Sequence, residues 1–307
     1  MRIDEIIAVR EPCLSFEYFP PKTPEGVETL FETMRILRPL DPSFVSVTYG
    51  AGGATREGTL EVSTKLRREF DVETMAHLSC VGETRERLAE ILDRIEAAGI
   101  ENVLALRGDP PRGEPDFQPQ EGGLSSSSEL ISFIAERHDF AIGGACFPEV
   151  HPEAPSLEVD LSFLRTKVEA GASFLITQLF FDNRVYFAWL AAARRAGIDV
   201  PIMPGIIPIT SYTGIRRFCE LCKATIPEPL AESMQALDGD QRAEMELGIA
   251  YATGQCEELL AAGVPGIHFY TLNKAPATRA VMGALRASRP WERAPAQPAA
   301  VGAPERA

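Results

Sequence analysis

Short apolar segments alternate with longer amphipathic stretches along most of this chain. Eight of the short segments have strand character: LSFEYF (14–19), FVSVTY (44–49), ETMAHLS (73–79), NVLALRG (102–108), AIGGACF (141–147), FLITQLF (174–180), PIMPGII (201–207) and GIHFYTL (266–272). Several are nearly continuous apolar runs, the pattern of parallel strands whose outer faces are covered by helices. The intervening stretches carry helix signals. Thr23-Pro24-Glu25 offers a cap residue followed by proline in the first turn. ETRERLAEILDRIEAAGI (83–100) runs into Gly99, a helix-stopping residue.

The spacing is regular. Glu17, Thr48, His77 and Arg107 fall 31, 29 and 30 residues apart, which suits one strand, one helix and two loops per step. Eight such units predict a closed (β/α)8 barrel rather than an open doubly wound sheet. No G-x-G-x-x-G follows a strand and no G-x-x-x-x-G-K-[ST] occurs, so the Rossmann and P-loop readings lack their phosphate-binding signatures. Two stretches break the rhythm. Residues 110–128, rich in Pro, Gly and Ser, predict a loop that could close over a ligand, and residues 208–265 predict more than one helix before the last strand. The expected organisation is a single barrel domain over 1–289 and a disordered Ala/Pro-rich tail over 290–307.

Composition narrows the partners. The 307 residues include 30 Lys+Arg against 44 Asp+Glu, a formal charge of −14 that repels nucleic-acid phosphates and anionic membranes. No signal-peptide pattern and no bilayer-spanning apolar run occurs, so a cytoplasmic location is expected. The six cysteines are scattered, as for reduced thiols. Cys219 and Cys222 form a C-x-x-C inside a predicted helix with no strand before it, which favours structural thiols over a redox or metal pair.

In a barrel of this kind the chemistry sits at the C-terminal ends of the strands. Read in order, those ends carry Glu17, Thr48, His77, Arg107 with Asp109, His151, Gln178, the loop to Tyr212, and Tyr270 to Lys274. Glu17 interrupts an otherwise apolar strand before Pro20-Pro21. Burial among aromatics favours the protonated carboxyl, which makes Glu17 a candidate general acid; the alternative is a structural carboxylate paired with Lys22. Arg107-Gly108-Asp109 places opposite charges around a glycine that permits close backbone approach, or else forms a loop salt bridge. His151 sits between prolines in Phe147–Pro152. No H-x-H or H-E-x-x-H spacing supports a metal, so hydrogen-bonding imidazoles are expected instead. G-x-S-x-G is absent, and nucleophilic hydrolysis has no sequence support.

SFEYFPPKT, FVSVTYGAGG, AHLSC, ALRGD, FPEVHPEA, ITQLFFD, PGIIPI and HFYTLNK occur in an order that resembles the methylenetetrahydrofolate reductase family over about residues 12–285. The resemblance is to the compact bacterial form, the catalytic barrel without the regulatory domain and S-adenosylmethionine response of eukaryotic relatives. It implies noncovalent FAD and a ping-pong cycle in one-carbon metabolism that supplies methionine biosynthesis. NADH or NADPH would reduce the flavin and leave, and 5,10-methylenetetrahydrofolate would then be reduced to 5-methyltetrahydrofolate. Relatives of this kind form homo-oligomers. Carried over by position, Glu17 matches the general acid that protonates folate N10, and Asp109 matches the aspartate beside flavin and folate. Thr48, Tyr49, Ala51, His77, Arg107, Gly108, Asp109, Ser127, Phe147, His151, Ala154, Asp160 and Lys167 match cofactor-contacting positions. Asp109, Gln178, Tyr212 and Lys274 match positions facing the exchanging substrates.

The chain departs from the family pattern in places. Phe147 stands where many members have tyrosine, which removes one hydroxyl contact to the cofactor, and Phe163 and Thr166 replace polar or basic residues. Lys274 stands where some relatives have arginine. Two other classes compete: a flavin-free lyase or aldolase with Glu17 as acid and Lys274 as a Schiff-base amine, and a noncatalytic folate- or flavin-binding module.

Overall fold

A computed structural model describes residues 1–49, 53–108 and 120–293, the side chains of 53–57 excepted. The chain begins with helix α1 (Ile3–Val9) and strand β1 (Cys13–Tyr18), followed by α2 (Pro24–Leu37), β2 (Phe44–Val47), α3 (Gly53–Phe70), β3 (Thr74–Ser79), α4 (Arg85–Ala97) and β4 (Asn102–Leu106). It continues through α5 (Ser127–Ala135), β5 (Ala141–Cys146), α6 (Leu157–Glu169), β6 (Phe174–Thr177) and α7 (Asn183–Arg195). The last part holds β7 (Ile202–Met203), β8 (Gly205–Ile206), α8 (Tyr212–Cys222), α9 (Glu228–Gln235), α10 (Gln241–Ala261), β9 (Gly266–Tyr270) and α11 (Ala275–Ser288).

All strand pairs are parallel and the sheet order is β7-β6-β5-β4-β3-β2-β1-β9-β8. Only Pro204 separates β7 from β8, so the two ends of the sheet belong to one segment and the sheet closes into a barrel. The single strand expected over 201–207 is therefore two short ones. Proline has no N–H to give a ladder; its carbonyl still accepts from His268 N at 2.9 Å, which carries the closure across the break.

The strands alternate strictly between an outer and an inner face. Leu14, Phe16 and Tyr18 of β1, Val45 and Val47 of β2, and Ile267 and Phe269 of β9 join the outer core under the helices. The inner positions are layered. Cys13, Phe44, Met75, Leu104, Ala141, Phe174 and Met203 form an apolar floor, closed from below by Ile3, Ile6 and Ile7 of α1. That plugging helix was not among the expected elements, because seven residues are too few to show a helical period. One layer higher the inner positions turn polar: Ser15, Glu17, Ser46, His77 and His268.

Thr23 caps α2 by accepting from Gly26 N at 3.1 Å, worth about 1 kcal/mol, and Gly99 follows α4 with φ +76°. Three helices, α8 to α10, fill the long stretch before the last strand. The loop expected to run to residue 128 ends earlier: Ser126 caps α5, accepting from Glu129 N at 3.2 Å while Glu129 reaches back to Ser125. The tail expected from 290 begins with a 3-10 turn, Pro290–Glu292, whose Trp291 packs on the outer core. The remainder of that tail, 294–307, lies outside the described residues, as do 109–119 of the loop. Among the described residues no helix is long and apolar enough to cross a membrane.

Candidate active site

Glu17 lies on the inner face near the C-terminal end of β1 and is 6% exposed. Two imidazoles face its carboxylate: His268 Nε2 at 3.4 Å and His77 Nε2 at 3.6 Å from Oε2. His268 is fully buried, and its Nδ1 stands 2.8 Å from Ser15 Oγ; Ser46 Oγ lies 3.5 Å from Nε2. Lys22, the alternative partner for Glu17, is exposed instead.

The strand register produces this cluster. Ser15 pairs with His268, and Glu17 pairs with both Ser46 and Tyr270. The backbone of Glu17 is held as well, since Thr271 Oγ1 donates to its carbonyl at 2.6 Å. Just beyond, Asn273 clamps Phe19, accepting from its N–H at 2.9 Å and donating to its carbonyl at 2.8 Å. Leu272 and Asn273 both have left-handed backbones, φ +51° and +55°. For leucine that conformation costs roughly 1–2 kcal/mol, and the clamp on Phe19 supplies bonds that hold it there.

His77 is 4% exposed, and burial pushes its pKa down to about 4, the nearby Glu17 carboxylate opposing that shift only in part. It is therefore neutral near pH 7, and its Nε2, 3.6 Å from Glu17, is beyond hydrogen-bond reach. The unfolded chain binds more protons than the folded one between about pH 6.5 and about pH 4, so the His77 contribution lowers stability as pH falls through that window. The expected loss is on the order of 3 kcal/mol at the acid end. Urea midpoints at pH 7 and 4.5 should differ less in His77→Asn than in the parent; equal pH slopes would refute the assignment.

A second cluster occupies the ends of β4 to β6. Arg107 grips Glu153 with both terminal nitrogens, at 2.5 and 2.7 Å, an ion pair to the loop after β5; Asp109, the opposite charge beside it in sequence, lies outside the described residues. Gly108 has φ +88°, and a Cβ there would lie 2.0 Å from Ser79 Oγ. In the loop after β5, Val150 N–H donates to Phe147 at 3.1 Å with φ +69°, an unusual conformation for a β-branched residue. That turn sets the Phe147 ring edge-on to His151 at 4.5 Å. The His151 N–H donates to Asp160 at 3.2 Å, and its carbonyl accepts from Ala154 at 2.9 Å. Burial lowers the pKa of His151 and raises that of Asp160. Lys167, half-buried on α6, donates to the Ala145 carbonyl at 2.9 Å, and burial lowers its pKa. Glu149 ties the same loop to Thr225 N at 3.0 Å.

The remaining expected residues stand around this frame. The Thr48 carbonyl accepts from Thr59 at 2.8 Å, and Tyr49 donates to Glu83 at 3.3 Å. Ser127 opens α5, half-buried. Gln178 N–H donates to the Cys146 carbonyl at 2.7 Å, and its side-chain oxygen accepts from Leu179 N–H at 2.9 Å. Tyr212 opens α8, receives a bond from Gln235 at 3.1 Å, packs on the same apolar cluster as Tyr270 and Leu272, and lines a cleft of about 440 Å³ with Arg216 and Ala231. Lys274 is exposed at the start of α11, an environment that does not desolvate an amine for Schiff-base formation. Cys219 is buried on α8 with its pKa raised by burial to about 12, as for a structural thiol. Ala51 and Asp109 lie outside the described residues.

The residues that strand-end reading missed are Ser15, Ser46 and His268. A signal was available: the period-two alternation in LSFEY and GIHFY marks Ser15, Glu17, His268 and Tyr270 as one face of each strand.

Known proteins resemble this chain in sequence and in fold. The family model described as methylenetetrahydrofolate reductase matches residues 2–286. The 5,10-methylenetetrahydrofolate reductase of Escherichia coli is 37% identical over 274 residues, 89% of this chain and 90% of that protein. Methylenetetrahydrofolate reductase (NADH) 1 of Arabidopsis thaliana is 40% identical over 285 residues; the match covers 88% of this chain and 48% of that protein, so the chain spans about half the length of such plant relatives. A solved Clostridium thermocellum protein, described as uncharacterized and as binding two copies of 5-methyl-5,6,7,8-tetrahydrofolic acid, superposes with TM-score 0.63 at 15% identity over 94% of this chain and 99% of its own, a likeness of fold alone. With a family match across nearly its whole length and a bacterial relative covered over 90% of its length, the chain belongs to the methylenetetrahydrofolate reductase family.

Proposed function

We propose that this chain reduces 5,10-methylenetetrahydrofolate to 5-methyltetrahydrofolate with electrons from NADH or NADPH, using noncovalent FAD in a ping-pong cycle. The observation that carries the reading is the Glu17 carboxyl, buried at the catalytic end of the barrel between two imidazoles. A carboxyl so placed can hold a proton out of water and deliver it to one atom of a bound substrate. Folate N10 is the atom whose protonation opens the five-membered ring.

The residues at the ends of β4 to β6 fit the cofactor. Lys167 and Arg107 stand together beside the His151 loop, and with Arg107 turned from Glu153 to the ligand this donor set would suit a diphosphate. Gly108 keeps its backbone bare of a side chain where the strand ends. When bound, FAD supplies hydride transfer between nicotinamide and folate. Glu17 holds and gives the proton, and the apolar floor below it keeps water from entering through the base of the barrel. Gln178 orients the exchanging substrates, and the sequence resemblance assigns the same role to Asp109. The plant relatives whose names include NADH favour NADH as the donor to test first.

The test is an absorbance spectrum of the purified protein, followed through anaerobic additions. Flavin absorbance should bleach with NADH and return on adding 5,10-methylenetetrahydrofolate. A colourless protein that takes up no added FAD and oxidises no NADH would overturn the reading.

A further inference from the structure

A general acid must be held in place in two states, before and after it gives up its proton. As an acid Glu17 needs an acceptor for its O–H; as a carboxylate it needs donors. The group that touches it, His268 Nε2 at 3.4 Å, can serve either need only if the imidazole can move its own proton between its two nitrogens. In most buried histidines a backbone carbonyl or a carboxylate at the other nitrogen locks one tautomer. Here the other nitrogen, Nδ1, faces the Ser15 hydroxyl at 2.8 Å, a group that both donates and accepts.

We propose that Ser15 and His268 are positioning residues that hold the Glu17 carboxyl in both protonation states, with His268 changing tautomer as Glu17 gains or loses its proton. With Glu17 protonated, its O–H donates to Nε2, and Nδ1–H donates to Ser15 Oγ. With Glu17 ionised, Nε2–H donates to the carboxylate, and the Ser15 hydroxyl turns to donate to Nδ1. Between the two arrangements the cluster gives up one proton, which passes from Glu17 to substrate. The serine and histidine meet because β1 and β9 pair in the register Ser15 to His268.

The other groups facing this cluster do not duplicate the role. Ser46 on β2 lies 3.5 Å from Nε2, on the Glu17 side of the ring. His77 on β3 is 3.6 Å from the carboxylate, beyond hydrogen-bond reach. Tyr270 on β9 commits its phenol to the Thr177 carbonyl at 2.6 Å, and burial raises its pKa well above the ordinary value. The function of the pair rests on Glu17 being the acid, but its switching can be measured without turnover.

The chain has four histidines, so selective ring-15N labelling gives four imidazole patterns, assigned with His268→Gln and His77→Gln. In the full-length parent, the His268 ring should cross from the Nδ1–H to the Nε2–H pattern as pH rises, and Glu17→Gln should remove that crossing. Ser15→Ala should hold the ring in the Nε2–H form at every pH and lower the folate half-reaction about tenfold, with its alkaline limb moved to lower pH; Ser15→Thr should restore both. A parent His268 that keeps one tautomer across the pH range of the fold overturns the proposal. So does a Ser15→Ala protein with unchanged ring patterns and pH profile. The spectra are recorded without substrate, so a protein that fails to oxidise NADH refutes the proposed reaction and still reports on the switch.

Discussion

Glu17→Gln is expected to lower folate reduction by roughly 10²–10⁴-fold while NADH-driven bleaching of the flavin keeps its rate. The substitution is nearly isosteric. Its amide can still pair with His268 Nε2, so the cluster of Ser15, His268 and Ser46 should stay assembled. What disappears is an ionisable proton at the end of β1. The two half-reactions separate the roles, because only the folate step needs that proton. Stopped-flow absorbance of each half-reaction is the measurement. If folate reduction survives within about twofold, another group supplies the proton and the buried carboxyl is structural.

Gly266→Ala is expected to destabilise the fold by about 3 kcal/mol or more. An added Cβ would lie 1.7 Å from the carbonyl oxygen of Cys13 and 2.9 Å from its Cα. Both are backbone atoms of the paired strand, so no rotamer change relieves the overlap. Relief requires β1 and β9 to part at the position where Cys13 N–H donates to Pro265 at 2.9 Å. That pairing also sets Ser15 opposite His268 and Glu17 opposite Tyr270, so the site should lose its order along with the fold. Gly283→Ala is the control: it sits exposed inside α11 with open space around its Cα. There the change should stabilise by up to about 1 kcal/mol, since alanine loses less backbone entropy in a helix. Urea denaturation midpoints of both variants against the parent decide the matter. Equal midpoints for Gly266→Ala and the parent would show that the strands tolerate the spread.

Much of the frame was legible along the chain. Thr23, Gly99 and the multiple helices of 208–265 did in the structure what their local chemistry predicted, because caps and helix stops act over a few residues. Glu17 was visible as a polar break in an apolar strand. Its partners were harder to see, because His268 follows it by 251 positions and lies mid-strand rather than at a strand end. Arg107 was read with both a ligand-facing and an ion-pair role; its partner Glu153 is 46 residues away on another loop. Val150 and Leu272 gave no sign of their left-handed backbones, since neighbouring bonds impose those angles against the residues' own preference.

By itself, the sequence determined the number and order of the strand segments, the parallel barrel they imply, and the residues whose chemistry could matter at their ends. These follow from periodicity and turn chemistry, which are properties of adjacent residues. The tertiary structure alone decided that strand seven breaks at Pro204 and that α1 plugs the floor of the barrel. It alone decided that Glu17 faces two imidazoles with a serine behind one of them. Those outcomes depend on strand register and closure, which bring together residues from opposite ends of the chain, and no local pattern encodes which of them will meet.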